Sequence, residues 1–153
     1  MARSAGLLLY RIADDLEVLL VHPGGPFWTN KDEGAWSIPK GEFDDEDPLT
    51  AARREFAEEL GVEPPDSTAI DLDEITQKAG KVVRAFAFEG DLDPAAIVSN
   101  TFEIEWPPRS GLRQEFPEVD RAEWFTADDA RRKLNPAQVE LVDRLAERLA
   151  GSR

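Results

Sequence analysis

A group of glutamates in segment 54–62 carries the clearest chemical signal in the sequence. On a helix, Glu55, Glu58 and Glu59 stand at positions i, i+3 and i+4, so their carboxylates share one face. Crowded carboxylates repel one another unless a cation lies between them, and such oxygen ligands prefer Mg²⁺, Mn²⁺ or Ca²⁺ to thiophilic metals. The spacing alone is equally compatible with an acidic helix face in solvent.

The composition narrows the possible chemistry. A length of 153 residues suits one domain with a hydrophobic core, and we expect residues 1–153 to form it. Because the chain has no cysteine, disulfides, thiolate metal sites and a cysteine nucleophile are excluded. The single histidine, His22, excludes a His-rich zinc site. We interpret His22 as an ordinary residue at a strand end, with a loop position near a substrate as the alternative.

The charge of the chain bears on its partners and location. A net charge of −14 argues against binding to a nucleic-acid backbone, which requires a basic surface. A small anionic substrate remains compatible, because a bound metal and a few lysines can invert the local field. The apolar run at residues 5–10 is too short for a membrane span or a signal peptide, so we expect a cytoplasmic protein with no membrane partner.

Turn and capping signals predict the elements that must position the glutamates. Asp47 is a suitable N-cap, Pro48 suits the first helical turn, and Gly61 is placed to end the helix. Mixed strands, with one helix after the third strand and helices at the end, predict an α/β sandwich. The expected strands are 4–11, 16–22, 35–38, 70–78, 81–88, 101–106 and 122–125, with a loop at 109–117 and helices at 126–134 and 136–150.

Segment 41–62 resembles the Nudix box, the signature of the Nudix hydrolase family, written G-x5-E-x7-R-E-U-x-E-E-x-G-U with U a bulky apolar residue. From Glu46 onward the chain matches this pattern. The stretch from Gly41 to Glu46 is one residue short, and taking Asp47 as the first acid restores that spacing but shortens the next. The resemblance implies a Nudix-type α/β/α sandwich with a mixed sheet between helices.

The same resemblance implies a metal-dependent pyrophosphohydrolase that uses Mg²⁺ or Mn²⁺ and acts on a nucleoside diphosphate linked to another moiety. Glu55, Glu58 and Glu59 carry over as metal ligands and catalytic residues, and the general base is one of them or an acid from a distant loop. Arg54 matches the box arginine, whose guanidinium fork would hold a box carboxylate in place. Gly41 would let the backbone approach the metal or the phosphate.

A further acid is expected to approach the cluster from elsewhere in the fold. Segment 117–124 is similar to part of the bacterial RNA pyrophosphohydrolases of this family, in which the equivalent glutamate completes the metal site. The similarity indicates Glu118 as a metal ligand, with Glu115 as the second choice. An acid in a solvated loop is the alternative.

The substrate is indicated by segment 36–41, which resembles the W-x-x-P-K-G segment of Nudix diadenosine polyphosphate hydrolases. This favours a dinucleoside polyphosphate over nucleoside triphosphates, ADP-ribose or nucleotide sugars, and a nucleotide-sensing module without catalysis is a further alternative. Homodimers are common in the family. The candidate substrate contacts are Lys40, Lys78 and Lys81 for phosphate and Phe27, Trp28 and Trp106 for base stacking, although surface or packing roles would also suit these residues.

Overall fold

A mixed six-stranded sheet lies at the centre of the molecule. The computed structural model describes residues 3–151. The strands are β1 (Arg3–Ile12), β2 (Leu16–Pro23), β3 (Lys40–Glu42), β4 (Ile70–Thr76), β5 (Val82–Glu89), β6 (Thr101–Glu105), β7 (Arg113–Pro117) and β8 (Val119–Thr126). The α-helices are α1 (Pro48–Leu60), α2 (Ala127–Lys133) and α3 (Val139–Gly151), with 3₁₀ turns at Lys78–Gly80, Pro94–Ala96 and Pro136–Gln138.

The strand order of the sheet is β4-β5-β1-β2-β8, and β3 pairs with β1. Strands β1 and β5 run parallel, whereas β1 pairs with β2 and β3 in antiparallel fashion, as does β2 with β8. Both orientations therefore occur in one sheet, as the sequence predicts.

The alternation of side chains along β1 divides the core into two layers. Leu7 and Leu9 pack in one cluster with Phe56 of α1. Leu8 and Tyr10 face the other way and pack in a cluster that includes residues of α2 and α3. The predicted α/β/α sandwich is thus confirmed. Among residues 3–151, no helix is long and apolar enough to cross a bilayer.

Helix α1 begins and ends where the capping signals predict. The Asp47 carboxylate accepts the backbone N–H of Thr50 at 3.2 Å, and Pro48 opens the first turn. Gly61 adopts the left-handed conformation (φ 69°) and donates its N–H to the Ala57 carbonyl. These caps fix which residues belong to the helix and therefore which face carries the glutamates.

Segment 35–38 is not a strand, contrary to the prediction. It makes isolated bridges only, between Ser37 and Val21 and between Trp36 and Leu134. Pro39 follows directly and has no N–H to donate to a ladder. The short strand of this region is β3 instead.

The predicted loop at 109–117 is also wrong in its second half, because β7 pairs with β6 in a separate two-stranded sheet. Phe102 lies opposite Phe116, and the Arg113 guanidinium donates to the Glu103 carboxylate at 2.5 Å. Most side chains of β7 are exposed, so the segment has no buried apolar face whose alternation would mark it as a strand.

We expect Phe56→Ala to lower the free energy of unfolding by about 3–5 kcal/mol, because the fully buried ring packs between α1 and the sheet. Phe27 is 62% exposed, and its edge-to-face contact with Trp106 lies at the surface, so Phe27→Ala should cost less than about 1 kcal/mol. Urea denaturation measures both values. Equal losses in the two variants would contradict this account of the core.

Candidate functional site

Glu59 lies at the centre of the candidate site. Its carboxylate is partly buried in the wall of a cleft and accepts the backbone N–H of Lys40 at 3.2 Å. Desolvation is the largest cause that raises the pKa of Glu59 to about 8, and the negative charges of Glu55 and Glu118 add to it. The contacts with Lys40 act in the opposite direction. Without a bound cation, these effects together favour the protonated form of the Glu59 carboxyl.

Glu55 and Glu118 reach the region of Glu59 from different elements. Glu55 lies one turn earlier on α1, and desolvation is the first cause that raises its pKa. Glu118 stands between β7 and β8, where its backbone N–H donates to the Asn100 carbonyl at 2.8 Å and its carbonyl accepts the Gly24 N–H at 2.9 Å. Because the charge of Glu118 raises the pKa of both helix acids, these carboxylates share one electrostatic site.

This donor set fits a hard divalent cation, since it consists of oxygen ligands whose mutual repulsion a cation would relieve. Within residues 3–151, no three Asp, Glu, His or Cys side chains converge closely enough to hold an ion as they stand. Glu55 and Glu58 direct their carboxylates toward Arg54, and Glu59 directs its carboxylate toward the backbone N–H of Lys40. Glu55, Glu58, Glu59 and Glu118 are the side chains that could hold a metal after reorientation.

Arg54 connects three acids. Its guanidinium donates to Glu46 at 3.0 Å, to Glu55 at 2.9 Å and to Glu58 at 3.3 Å. The hydrogen bond with Arg54 holds the pKa of Glu46 below its usual range, and the same bond is the first cause that raises the pKa of Arg54. Glu46 thus reaches the arginine although its spacing from Gly41 is one residue short.

Gly41 and Lys40 border the glutamates on the β3 side. A Cβ at position 41 would lie 2.0 Å from a carboxylate oxygen of Glu55, so a larger residue there would push that carboxylate out of its present position. The resemblance implies that the Gly41 backbone approaches a metal or a phosphate, whereas in the structure it closely approaches the Glu55 carboxylate. Burial lowers the pKa of Lys40, the charge of Glu59 opposes this effect, and the charge of Lys81 adds to it. Lys40 is therefore a poorly hydrated cation beside the acidic cluster.

A cleft of about 240 Å³ adjoins the glutamates. Lys40, Glu59 and Glu118 contribute to its lining, as does Trp28, whose side chain is partly exposed. Whole small-molecule sites usually occupy roughly 300–1,000 Å³, so a space of this size suits one part of a larger ligand. The remaining polar lining residues are Ser37, Gln77, Asn135 and Gln138.

Other candidate residues lie farther from the cluster. Lys81 is exposed but close enough to affect Lys40, whereas Lys78 is exposed in the turn between β4 and β5 and is not part of the cleft lining. Phe27 and Trp106 contact each other edge to face, 5.4 Å apart, and also lie outside the lining. Glu115, the second choice for the distant acid, accepts the hydroxyl proton of Thr101 on the neighbouring strand.

His22 is a buried cross-link whose importance the sequence does not indicate. It lies near the end of β2, as predicted, and is 1% exposed. Its Nδ1 is 2.9 Å from the Asp120 carboxylate and its Nε2 is 2.6 Å from the Lys31 carbonyl. These bonds tie the loop that carries Trp28 to the strand that follows Glu118. The sequence holds no signal for this contact, because Asp120 is 98 positions away.

Comparison with known proteins agrees with this architecture. The family model described as the NUDIX domain matches residues 2–145. A crystal structure of a C. elegans Ap4A hydrolase binary complex is similar, with 21% identity, 99% of each chain covered and a TM-score of 0.66. No curated protein matches the chain in sequence.

Two further solved structures share the fold. The NUDIX domain of Shewanella oneidensis NrtR complexed with ADP ribose has 21% identity and a TM-score of 0.62, covering 96% of this chain and 87% of the other. The M. smegmatis Nudix hydrolase RenU has 24% identity and a TM-score of 0.59, covering 97% and 85%. Identities at this level establish a common fold and leave the substrate open.

The raised pKa of Glu59 predicts that metal-free protein loses stability as the pH rises from about 4.5 to about 8. The unfolded chain releases this proton near the ordinary value of 4.5, whereas the folded chain keeps it until about 8. Protonation therefore favours the folded state at low pH, and the advantage, on the order of a few kcal/mol, disappears as the pH passes the folded pKa.

Glu59→Gln should remove this pH dependence and raise Tm by several degrees in EDTA at about pH 9, because the buried negative charge is gone. Glu63→Gln is the matched control, since Glu63 is exposed just beyond α1. Thermal unfolding followed by circular dichroism at about pH 5 and about pH 9 measures the effect. A Tm of Glu59→Gln below that of the wild type at the higher pH would contradict the assigned repulsion.

Proposed function

The chain belongs to the Nudix family of pyrophosphohydrolases, since the NUDIX domain model matches residues 2–145, and from that premise we propose that it cleaves a phosphoanhydride bond in a dinucleoside polyphosphate. One observation carries the proposal. Glu59 is partly buried at a point where the charges of Glu55 and Glu118 oppose its ionisation, beside a desolvated Lys40. A site that accumulates negative charge in this way suits a divalent cation and a phosphate chain.

The chemistry that bound Mg²⁺ or Mn²⁺ supplies is neutralisation of phosphate charge and a lower pKa for the attacking water. Glu55, Glu59 and Glu118 would hold the ion. Glu58 belongs to the same set, because it stands on the same face of α1 and its hydrogen bonds to Arg54 are long, at 3.3 Å. One of these carboxylates would accept the proton of the attacking water.

Arg54 and Gly41 would keep the acids in place. The guanidinium of Arg54 donates to Glu55 and Glu58 and restricts where their carboxylates can turn. Gly41 lets the β3 backbone lie against Glu55 without a side chain between them. Neither residue needs to contact the reacting phosphorus for its loss to displace the carboxylates that do the chemistry.

The substrate contacts follow from the residues around the cleft. Lys40, with Lys81 nearby, would balance the charge of the phosphate chain. Trp28 lines the cleft and is 40% exposed, which leaves its indole available to stack on a base. Lys78 and Phe27 do not line the cleft and are not part of this proposal. ADP-ribose is the second candidate, because the similar NrtR domain was crystallised with ADP ribose.

Turnover of a substrate panel tests the proposal. Dinucleoside polyphosphates, nucleoside triphosphates, capped RNA and ADP-ribose are incubated with Mg²⁺ or Mn²⁺, and the products are resolved. We expect dinucleoside polyphosphates to give the highest kcat/KM and EDTA to abolish the reaction. Glu59→Gln should lower kcat at least about a hundredfold, since each factor of ten corresponds to roughly 1.4 kcal/mol of lost transition-state stabilisation.

Glu63→Gln serves as the control and should turn over normally, because this glutamate is exposed outside the site. Normal turnover in Glu59→Gln would refute the metal role of the cluster. Tight nucleotide binding with no metal-dependent cleavage of any compound would indicate a sensing module.

A further inference from the structure

Gln138 fixes the orientation of the polar side chains in the cleft wall. It is 1% exposed, and its Oε1 accepts the backbone N–H of Ile38 at 2.9 Å. Only the amide oxygen can accept that proton, so the amide nitrogen must point the other way. It donates to the Ser37 hydroxyl oxygen and to Oε1 of Gln77, both at 3.0 Å. The assignment of oxygen and nitrogen therefore follows from one backbone N–H.

The orientation of Gln77 follows from this arrangement. Its oxygen accepts the Gln138 proton, so its NH₂ group lies on the other side of the amide. Asn135 is oriented by a second backbone group, because its Oδ1 accepts the Ala137 N–H at 3.0 Å. Both Gln77 and Asn135 line the cleft. In the described part of the chain, neither NH₂ group has a hydrogen-bond partner.

The cleft wall near Gln77 and Asn135 therefore offers hydrogen-bond donors. The hydroxyl proton of Ser37 is already donated to the Ile38 carbonyl at 2.7 Å, so Ser37 contributes no further donor. Apolar side chains such as Val21, Ile38 and Val119 complete this part of the lining. A ligand group that enters and displaces water must supply acceptors, because an N–H left without a partner in a desolvated site costs free energy.

We propose that this cleft selects a 6-oxopurine base, guanine or hypoxanthine, with Gln77 and Asn135 as the specificity-determining residues. Guanine presents two neighbouring acceptors, O6 and N7, whereas adenine presents an N6 amino group in place of O6. In adenine that amino group would face an NH₂ donor of the protein, and two donors cannot form a hydrogen bond with each other. A volume of about 240 Å³ suits a base, and Lys40 and Glu59, which line the same cleft, would meet the phosphates next to it. The inference rests on the proposed function for the class of ligand and restricts it to guanosine-type nucleotides.

Two variants exchange donor for acceptor with little other change. Gln77→Glu and Asn135→Asp each keep an oxygen for Gln138 or for the Ala137 N–H, and each replaces the remaining amide NH₂ of a cleft-lining residue by oxygen. Dissociation constants for GDP and ADP are measured by calorimetry with Mg²⁺, and the ratio of the two is the readout. Effects on the fold, the metal or the phosphates cancel in this ratio.

We expect wild-type protein to bind GDP about tenfold to a hundredfold more tightly than ADP. Each variant should lose this preference, and the double variant should favour ADP. Thr76→Glu is the control for charge, because it adds a carboxylate at the exposed neighbour of Gln77 and should leave the ratio unchanged. Equal binding of GDP and ADP by the wild type, or a preference that persists in both variants, would overturn the inference, as would the absence of binding by either nucleotide.

Turnover separates this inference from the proposed function. Preferential GDP binding without hydrolysis of any nucleotide would refute the proposed reaction and leave the base specificity standing. Equal kcat/KM for diguanosine and diadenosine tetraphosphate would support the reaction and refute the specificity.

Discussion

Repulsion between carboxylates that the fold holds together is the constraint on which the rest of the structure depends. Glu55 and Glu59 share one face of α1, and the charge of Glu118 affects both of them. Such an arrangement costs free energy unless surrounding groups fix it. The caps of α1, the fork of Arg54 and the backbone N–H of Lys40 provide these fixed contacts. The scaffold around the site therefore compensates for the negative charge of its carboxylates.

Buried polar side chains extend this scaffold beyond the helix. His22 joins the Trp28 loop to β8, and the amide of Gln138 joins its own turn to two other segments, at residues 37–38 and at Gln77. A buried polar group that lost its partner would cost free energy, so each cross-link also specifies the positions of the segments that it joins. The polar walls of the cleft are thereby arranged before any ligand enters, which lowers the ordering cost of binding.

The cleft has two chemically different groups of lining residues. Glu59, Glu118 and Lys40 provide charge, which suits a metal and phosphates, while Gln77 and Asn135 provide neutral hydrogen-bond donors, which suit the edge of a base. A nucleotide has the same division between its charged chain and its neutral base. In the proposed function, reaction and specificity rest on different residues, so a substitution in one group need not disturb the other.

The sequence by itself determined the features that depend on neighbours within a few positions. The N-cap Asp47, the C-cap Gly61 and the shared face of the box glutamates all follow from spacing along one helix. Strand β7 has little buried apolar surface and therefore no such periodic signal, which is why its sequence predicts a loop.

The similarity of segment 117–124 already indicates Glu118, but tertiary structure alone decided which distant residues lie near one another. It brings Glu118 close to α1 and sets Gln138 against Ile38 across 100 positions. It also lets Glu46 reach Arg54 despite a shortened loop, because a flexible side chain and a turn can absorb one missing residue. Short-range patterns depend on local backbone geometry, whereas these contacts depend on how the sheet and helices pack, and no local spacing in the chain encodes that.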